Sequence, residues 1–220
     1  MTNTEGQSDG GPRKPTRRRP RWTRVTTDTV AVFVLSTVAV LTAWCGFEAS
    51  KWGGEMSIAF SEASSARVMA SDYASRARDA RASDQGIWEQ WVLASARNET
   101  PLVEYIEQRF SPEFALAFEA WTREGRIEQG PFARPEYVPP GTEDAERLNA
   151  RADARFDAAL TNNARGDNYS LLTVLFALVL FLAAMSQRKI PRNGRRVLIG
   201  AAAVFAIVGV ALLATFPIKI

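Results

Sequence analysis

Three uninterrupted apolar runs, residues 30–47, 169–185 and 197–216, constrain this chain more than any other feature. They contain 18, 17 and 20 residues and no Asp, Glu, Lys, Arg or His. A helix rises about 1.5 Å per residue, so runs of this length cover a hydrocarbon core of about 30 Å. Between the first and second runs hang 121 polar residues, 48–168. The chain therefore reads as an all-α membrane protein with three transmembrane helices and one sizeable domain outside the bilayer.

Charge supplies a direction. Residues 1–27 carry Arg13, Lys14, Arg17, Arg18, Arg19, Arg21 and Arg24 against Glu5 and Asp9. The 188–196 segment carries Arg188, Lys189, Arg192, Arg195 and Arg196 and no acid, whereas 48–168 holds 14 basic and 21 acidic groups. The positive-inside rule puts both basic segments in the cytoplasm. With three spans, 48–168 and 217–220 then lie outside. A sequence pI near 9.3 would otherwise raise nucleic acid as a partner. Bases placed beside spans instead read as topology signals and contacts to anionic lipid headgroups, so no nucleic-acid partner is expected. Arg outnumbers Lys 23 to 4, which suggests a GC-rich bacterial genome and a bacterial plasma (inner) membrane location.

The expected organisation is a basic cytoplasmic tail, 1–27, too poor in apolar residues to fold and hence disordered. Transmembrane helices follow at 28–47, 169–186 and 197–216, with a basic cytoplasmic loop at 187–196 and an extracytoplasmic end at 217–220. The start also resembles a signal peptide. However, the apolar run is long and its helical pattern continues through Ala43-Trp44-Cys45, so it reads as an uncleaved anchor. Trp22, Trp44, Phe47, Trp52 and Tyr169 fall near the expected interfaces and read as an aromatic belt. Ser36, Thr37, Thr42 and Thr173 are candidates for hydrogen bonds between spans.

From Trp52 an average 3.5-residue spacing runs through Met56, Ala59, Ala63, Ala66, Ala70, Tyr73, Ala77 and Ala80 to Asp84, Ile87 and Trp91. That is the seam of a coiled coil. Its partner is expected at 143–168, along Ala145, Leu148, Ala152, Phe156, Ala159 and Asn163, after an N-cap at Thr142. Two helices of about 52–97 and 143–168 would form an extracytoplasmic antiparallel stalk. Asp84, beside Gly86, reads as a bend, and Gly53-Gly54 as a hinge. A small helical tip is expected between them, with helices of about 101–110 and 112–123. Leu102, Val103, Ile106, Phe110, Phe114, Phe118 and Trp121 would pack with Ile87, Trp88 and Trp91. Four prolines and two glycines within 129–141 make 125–141 a returning loop.

The stretch Thr42-Ala43-Trp44-Cys45-Gly46-Phe47-Glu48-Ala49-Ser50-Lys51-Trp52-Gly53-Gly54-Glu55, with Asp167-Asn168-Tyr169, resembles a group of bacterial three-span membrane proteins of unknown function. Members share an Ala-Trp-x-Gly-Phe/Tyr stretch after the first span and Asp-Asn-Tyr before the second. Ser111–Trp121 and Pro131–Tyr137 extend the likeness, which covers roughly residues 30–216. The resemblance implies topology, with spans one and two bracketing a helical domain and span three following a short basic loop.

With one cysteine, Cys45, and no histidine, the chain has no intrachain disulfide and lacks the commonest metal ligand and general base. No nucleophile motif, phosphate loop or dinucleotide fingerprint is present. The expectation is therefore no enzyme, no catalytic residue, no cofactor and no metal. Spans without ionisable groups argue against a self-contained transporter. Glu48, Lys51 and Glu55 share a helix face, with Lys51 able to pair with either acid. Arg165 and Asp167 should reach a similar height on the partner helix. These five are the candidate juxtamembrane clasp. The functional expectation is an extracytoplasmic helical module for interaction, scaffolding or sensing, partnered by another membrane protein or a second copy. The alternative is an accessory subunit of a transporter or channel.

Overall fold

The computed structural model describes residues 22–188 and 191–219. The expected tail, 1–27, lies outside them as far as residue 21. Every regular element among the described residues is helical. Helix α1 runs Trp22–Ala96, α2 Thr100–Glu107, α3 Pro112–Arg123, α4 Thr142–Ser186 and α5 Arg192–Leu213, with a short 3₁₀ turn at Pro131–Ala133. Three of these, α1, α4 and α5, are long and apolar enough to cross a membrane. The chain divides into two units, one of residues 1–45 and 172–214, the other of 46–171 and 215–220.

In the first unit Val38, Leu172, Phe176, Val179 and Ala202 are buried. Gly209 of α5 faces the Phe176 ring so closely that a Cβ there would lie 2.7 Å from Cε1. A missing side chain on one helix thus receives a large one from the other, the small-residue logic of packing in lipid. Phe33, Val40, Val174 and Ile207 point outward at 67–72% exposure. Such a surface is costly in water and ordinary against acyl chains. The hydroxyls of Thr37 and Thr42 donate to Phe33 O and Val38 O, one turn back on their own helix. The expected bonds to other spans are therefore not made by these two.

In the second unit α1 and α4 run antiparallel. Arg67 meets Asp153 at 2.7 Å, Glu62 meets Arg155 at 2.8 Å, and Phe60 sets its ring edge-on to Phe156 at 5.4 Å. Ala59, Ala63, Ala66 and Ala70 are buried opposite a stripe of Ala145, Leu148, Ala152 and Ala159. Alanines carry little rotamer entropy and let the helices approach closely. Phe156, expected in that stripe, sits at its margin, 44% exposed while it meets Phe60, and Asn163 is exposed. Helix α1 is continuous through Gly53-Gly54 and through Asp84. Asp84 does not break the helix; it is buried, and its Oδ2 accepts the Tyr137 hydroxyl at 2.9 Å. Thr142 opens α4, but its hydroxyl donates back to Pro139 O rather than capping the helix.

Beyond that pairing, α2, α3 and the end of α1 enclose an aromatic core. Trp88 and Trp91 stack at 4.9 Å, Trp121 stands edge-on to Trp88 at 5.5 Å, and Phe110 edge-on to Phe114 at 4.8 Å. Each such pair is worth roughly 0.5–1.5 kcal/mol beyond its area. Trp91 Nε1 donates to Glu107 and Trp121 Nε1 to the Glu128 carbonyl, so both buried indoles are satisfied. Leu102, expected in this core, is exposed, while Phe132 and Tyr137 from the returning loop join it.

The loop is ordered by one buried cation. Arg134 takes Glu124 through both terminal nitrogens at 2.6 and 2.7 Å, Glu128 at 2.7 Å and Glu136 at 3.2 Å. The three carboxylates hold its guanidinium well above the usual range. Arg134 hydrogen bonding holds the Glu128 carboxyl below the ordinary range, and Glu136 is lowered by its own backbone N–H and then by Arg134.

Candidate functional site

The most unusual chemistry gathers where α1 and α4 first approach. Glu48, Trp52 and Glu55 sit at i, i+4 and i+7 on α1, one face of the helix. On α4, Gly166 faces Ala49 and Trp52, where a Cβ would meet Ala49 O at 3.5 Å and Trp52 Cβ at 3.6 Å. This close approach carries Arg165 over the Trp52 indole, with Cζ 4.6 Å from the ring centroid. The next helical turn presents Tyr169, which is fully buried.

The group that completes the arrangement comes from the segment after α5. Residues 215–219 leave helical geometry and lie along this face as a strap. The Tyr169 hydroxyl donates to Pro217 O at 3.0 Å, and its ring meets Phe216 edge-on at 5.4 Å. The Lys219 backbone N–H donates to Glu48 Oε2 at 3.0 Å. Its ammonium lies 3.2 Å from Glu55 Oε1 and 5.6 Å from the Trp52 centroid. Trp52 is thus flanked by two cations, Arg165 and Lys219, and the acids on either side of it in sequence both bind the strap.

Burial sorts these contacts by strength. Lys219 and Glu55 are 38% and 39% exposed, so their ion pair is screened and worth about 0–1 kcal/mol. Glu48 has 0% exposure. A carboxylate is expensive to bury unless hydrogen-bonded, and the N–H it receives is a charge-assisted bond. Glu48 Oε1 and Trp52 Nε1 are also buried, and neither makes a hydrogen bond with the described protein atoms. A buried acceptor and a buried donor one turn apart give this face polar capacity beyond what the strap uses.

The structure brings together three of the five candidate clasp residues, Glu48, Glu55 and Arg165. Lys51 is exposed with its ammonium 6.0 Å from the Phe47 ring, and Asp167 accepts from Asn163 on its own helix at 3.0 Å. The cation that reaches Glu55 is Lys219, which sequence reasoning did not select. The signal available for it was a single lysine just past the third apolar run. Of the interfacial aromatics, Trp44 and Phe47 are exposed, whereas Trp52 and Tyr169 are buried in this site rather than facing lipid. The Trp22 side chain lies outside the described residues.

No cluster of three His, Cys, Asp or Glu side chains able to hold a metal occurs among the described residues. What the site does offer is a joint: apolar anchors, one buried charge-assisted bond and one exposed ion pair. No family model, curated protein or solved structure matches the chain.

Proposed function

We propose that the chain is a non-enzymatic integral membrane protein whose 48–168 segment is an extracytoplasmic helical module for interaction, scaffolding or sensing. The observation that carries this reading is the strap at Glu48. Residues just after the third apolar run are fastened to Glu48, just after the first run, and Tyr169, which opens the second run, is fastened to the same strap. One joint thus ties together the segments that flank all three apolar runs, which supports a reading in which those ends share one side of a bilayer. In this reading the charges supply the side: basic 1–27 and 188–196 in the cytoplasm, acidic 48–168 outside.

In this reading the paired helices are a stalk and the aromatic core is its tip. A stalk lined with alanine grips weakly per residue, so a joint at its foot fixes the register of the two helices. A partner that binds the tip would be felt at the joint as a change in that register. The partner class is another membrane or envelope protein, or a second copy of the chain.

Topology is the first test. A membrane-impermeant maleimide applied to intact bacterial cells should label Glu119→Cys, an exposed tip position, and should label Asn193→Cys only after permeabilisation. Labelling in the opposite pattern would overturn the assignment. Photo-crosslinking from Leu116, 62% exposed on the tip, should then capture a defined protein. Capture of lipid alone would remove the interaction reading.

A further inference from the structure

The unit formed by residues 1–45 and 172–214 holds a cavity of about 680 Å³ among its three helices, within the size range of a small-molecule site. Its walls are apolar, with Leu35 and Val38 from α1, Val179 from α4, and Ile199 and Ala203 from α5. At one end the lining turns polar, with Ser186, Gln187 and Arg195. Ser186 spends its hydroxyl on Ala183 O, so the group facing outward with charge is Arg195.

Charge decides what such a cavity takes. This unit contains 12 basic residues and three acids, Glu5, Asp9 and Asp28, a net of +9 in sequence. At the end of the unit that lines the cavity Arg195 stands beside Arg196, and residues 172–214 contain no acid to answer them. The 188–196 segment that carries Arg195 has no acid of its own. An occupant must therefore join an apolar body to an anionic head at the depth of a helix end. We propose that this cavity binds the acyl chain of one anionic phospholipid from the surrounding bilayer, with Arg195 on its phosphate and Gln187 as a second donor. The cavity is open to the surroundings of the helices, with Ile199 on its wall 46% exposed, and bilayer lipid is the apolar material at hand. The inference rests on the three helices crossing a bilayer and not on any role of residues 48–168.

Native mass spectrometry of the full chain, released from nanodiscs of phosphatidylcholine with or without phosphatidylglycerol, tests it. The wild type should retain one phosphatidylglycerol, preferred over phosphatidylcholine by about fivefold or more. Arg195→Gln should retain either lipid without preference. Ala203→Phe, which fills the cavity, should retain neither. Equal retention of the two lipids by the wild type would overturn the proposal. So would headgroup preference that survives Arg195→Gln, or a lipid-free dimer with the cavity covered by a second copy. Asp28→Asn separates the remaining case: headgroup preference that appears only in this variant assigns Arg195 to Asp28 and removes the lipid.

Discussion

Glu48 and Lys219 are joined by a 3.0 Å hydrogen bond across 171 residues of sequence, from a backbone N–H to a fully buried carboxylate. The side chain of the same lysine makes a second, exposed contact with Glu55. The two contacts differ in burial, and so the two residues should differ in what their loss does.

Replacing Glu48 with Ala removes the acceptor of the half-buried Lys219 N–H and leaves space where a side chain was fully enclosed. The expected cost is about 1–2 kcal/mol, a factor of roughly 5–30 in local opening. Lys219→Ala keeps its backbone N–H and loses only a screened ion pair and a distant ring contact, within about 1 kcal/mol. Amide exchange of residues 215–219 in detergent or nanodiscs measures both. Equal effects, or a larger one from Lys219→Ala, would mean that the ammonium and not the buried bond holds the strap.

Two glycines on α4 and its approach should behave oppositely. Gly141 has φ +96° and a Cβ there would lie 2.7 Å from the Tyr73 carbonyl oxygen. Gly141→Ala meets both left-handed strain and a backbone clash, and should destabilise by about 1–3 kcal/mol. Gly166 is helical, with a Cβ at ordinary contact distance from α1. Gly166→Ala should be neutral or should stabilise, by up to about 1 kcal/mol from helix propensity. Thermal unfolding of the two variants followed by helix ellipticity distinguishes them.

The all-helical character and the three spanning-length helices were legible in the sequence because each rests on a local pattern. An apolar run or an alanine every 3.5 residues is visible within one window. Contacts closed over long separations were not. Asp84 in an apolar seam looks like an interruption until Tyr137, 53 residues on, supplies its donor. Arg134 sits in a stretch of prolines and glycines that reads as featureless loop, yet three nearby carboxylates organise it. Leu102 was expected inside because it is apolar, but the amphipathic face of α2 turns Ile106 inward instead. At the joint, Glu48 and Glu55 stood out by spacing. Their natural partner on the same helix, Lys51, is nearer in sequence than Lys219 and turns away.

The Tyr137–Asp84 bond should show its importance when one partner is removed. Tyr137→Phe leaves a buried carboxylate without its donor and should cost about 1–3 kcal/mol. Adding Asp84→Leu to that variant removes the orphaned charge, and the double variant should regain part of the loss. A double variant at least as unstable as the sum of the two singles would show that the pair is not coupled.

Acid should loosen the returning loop before it melts the helices. Glu128 and Glu136 have carboxyls held below their ordinary range, Glu128 chiefly by the Arg134 hydrogen bond and Glu136 by its own N–H and then Arg134. A folded-state value below the unfolded one means that the unfolded chain binds more protons in between. These groups therefore contribute stability in full above the unfolded carboxylate range near pH 4.5, and lose it as pH falls through their lower folded values. Tyr137 works in the opposite direction. Its hydroxyl is pushed up by burial and then by Asp84, so its contribution is complete below pH 10 and declines as pH rises above that. Trp121 reports the acid limb directly, since its Nε1 donates to the Glu128 carbonyl. Its fluorescence should shift only below the ordinary carboxylate value of 4.5 while helix ellipticity holds, and Arg134→Gln should move that shift upward toward that value. A shift unmoved by Arg134→Gln would show that the guanidinium does not set the acid limit of the loop.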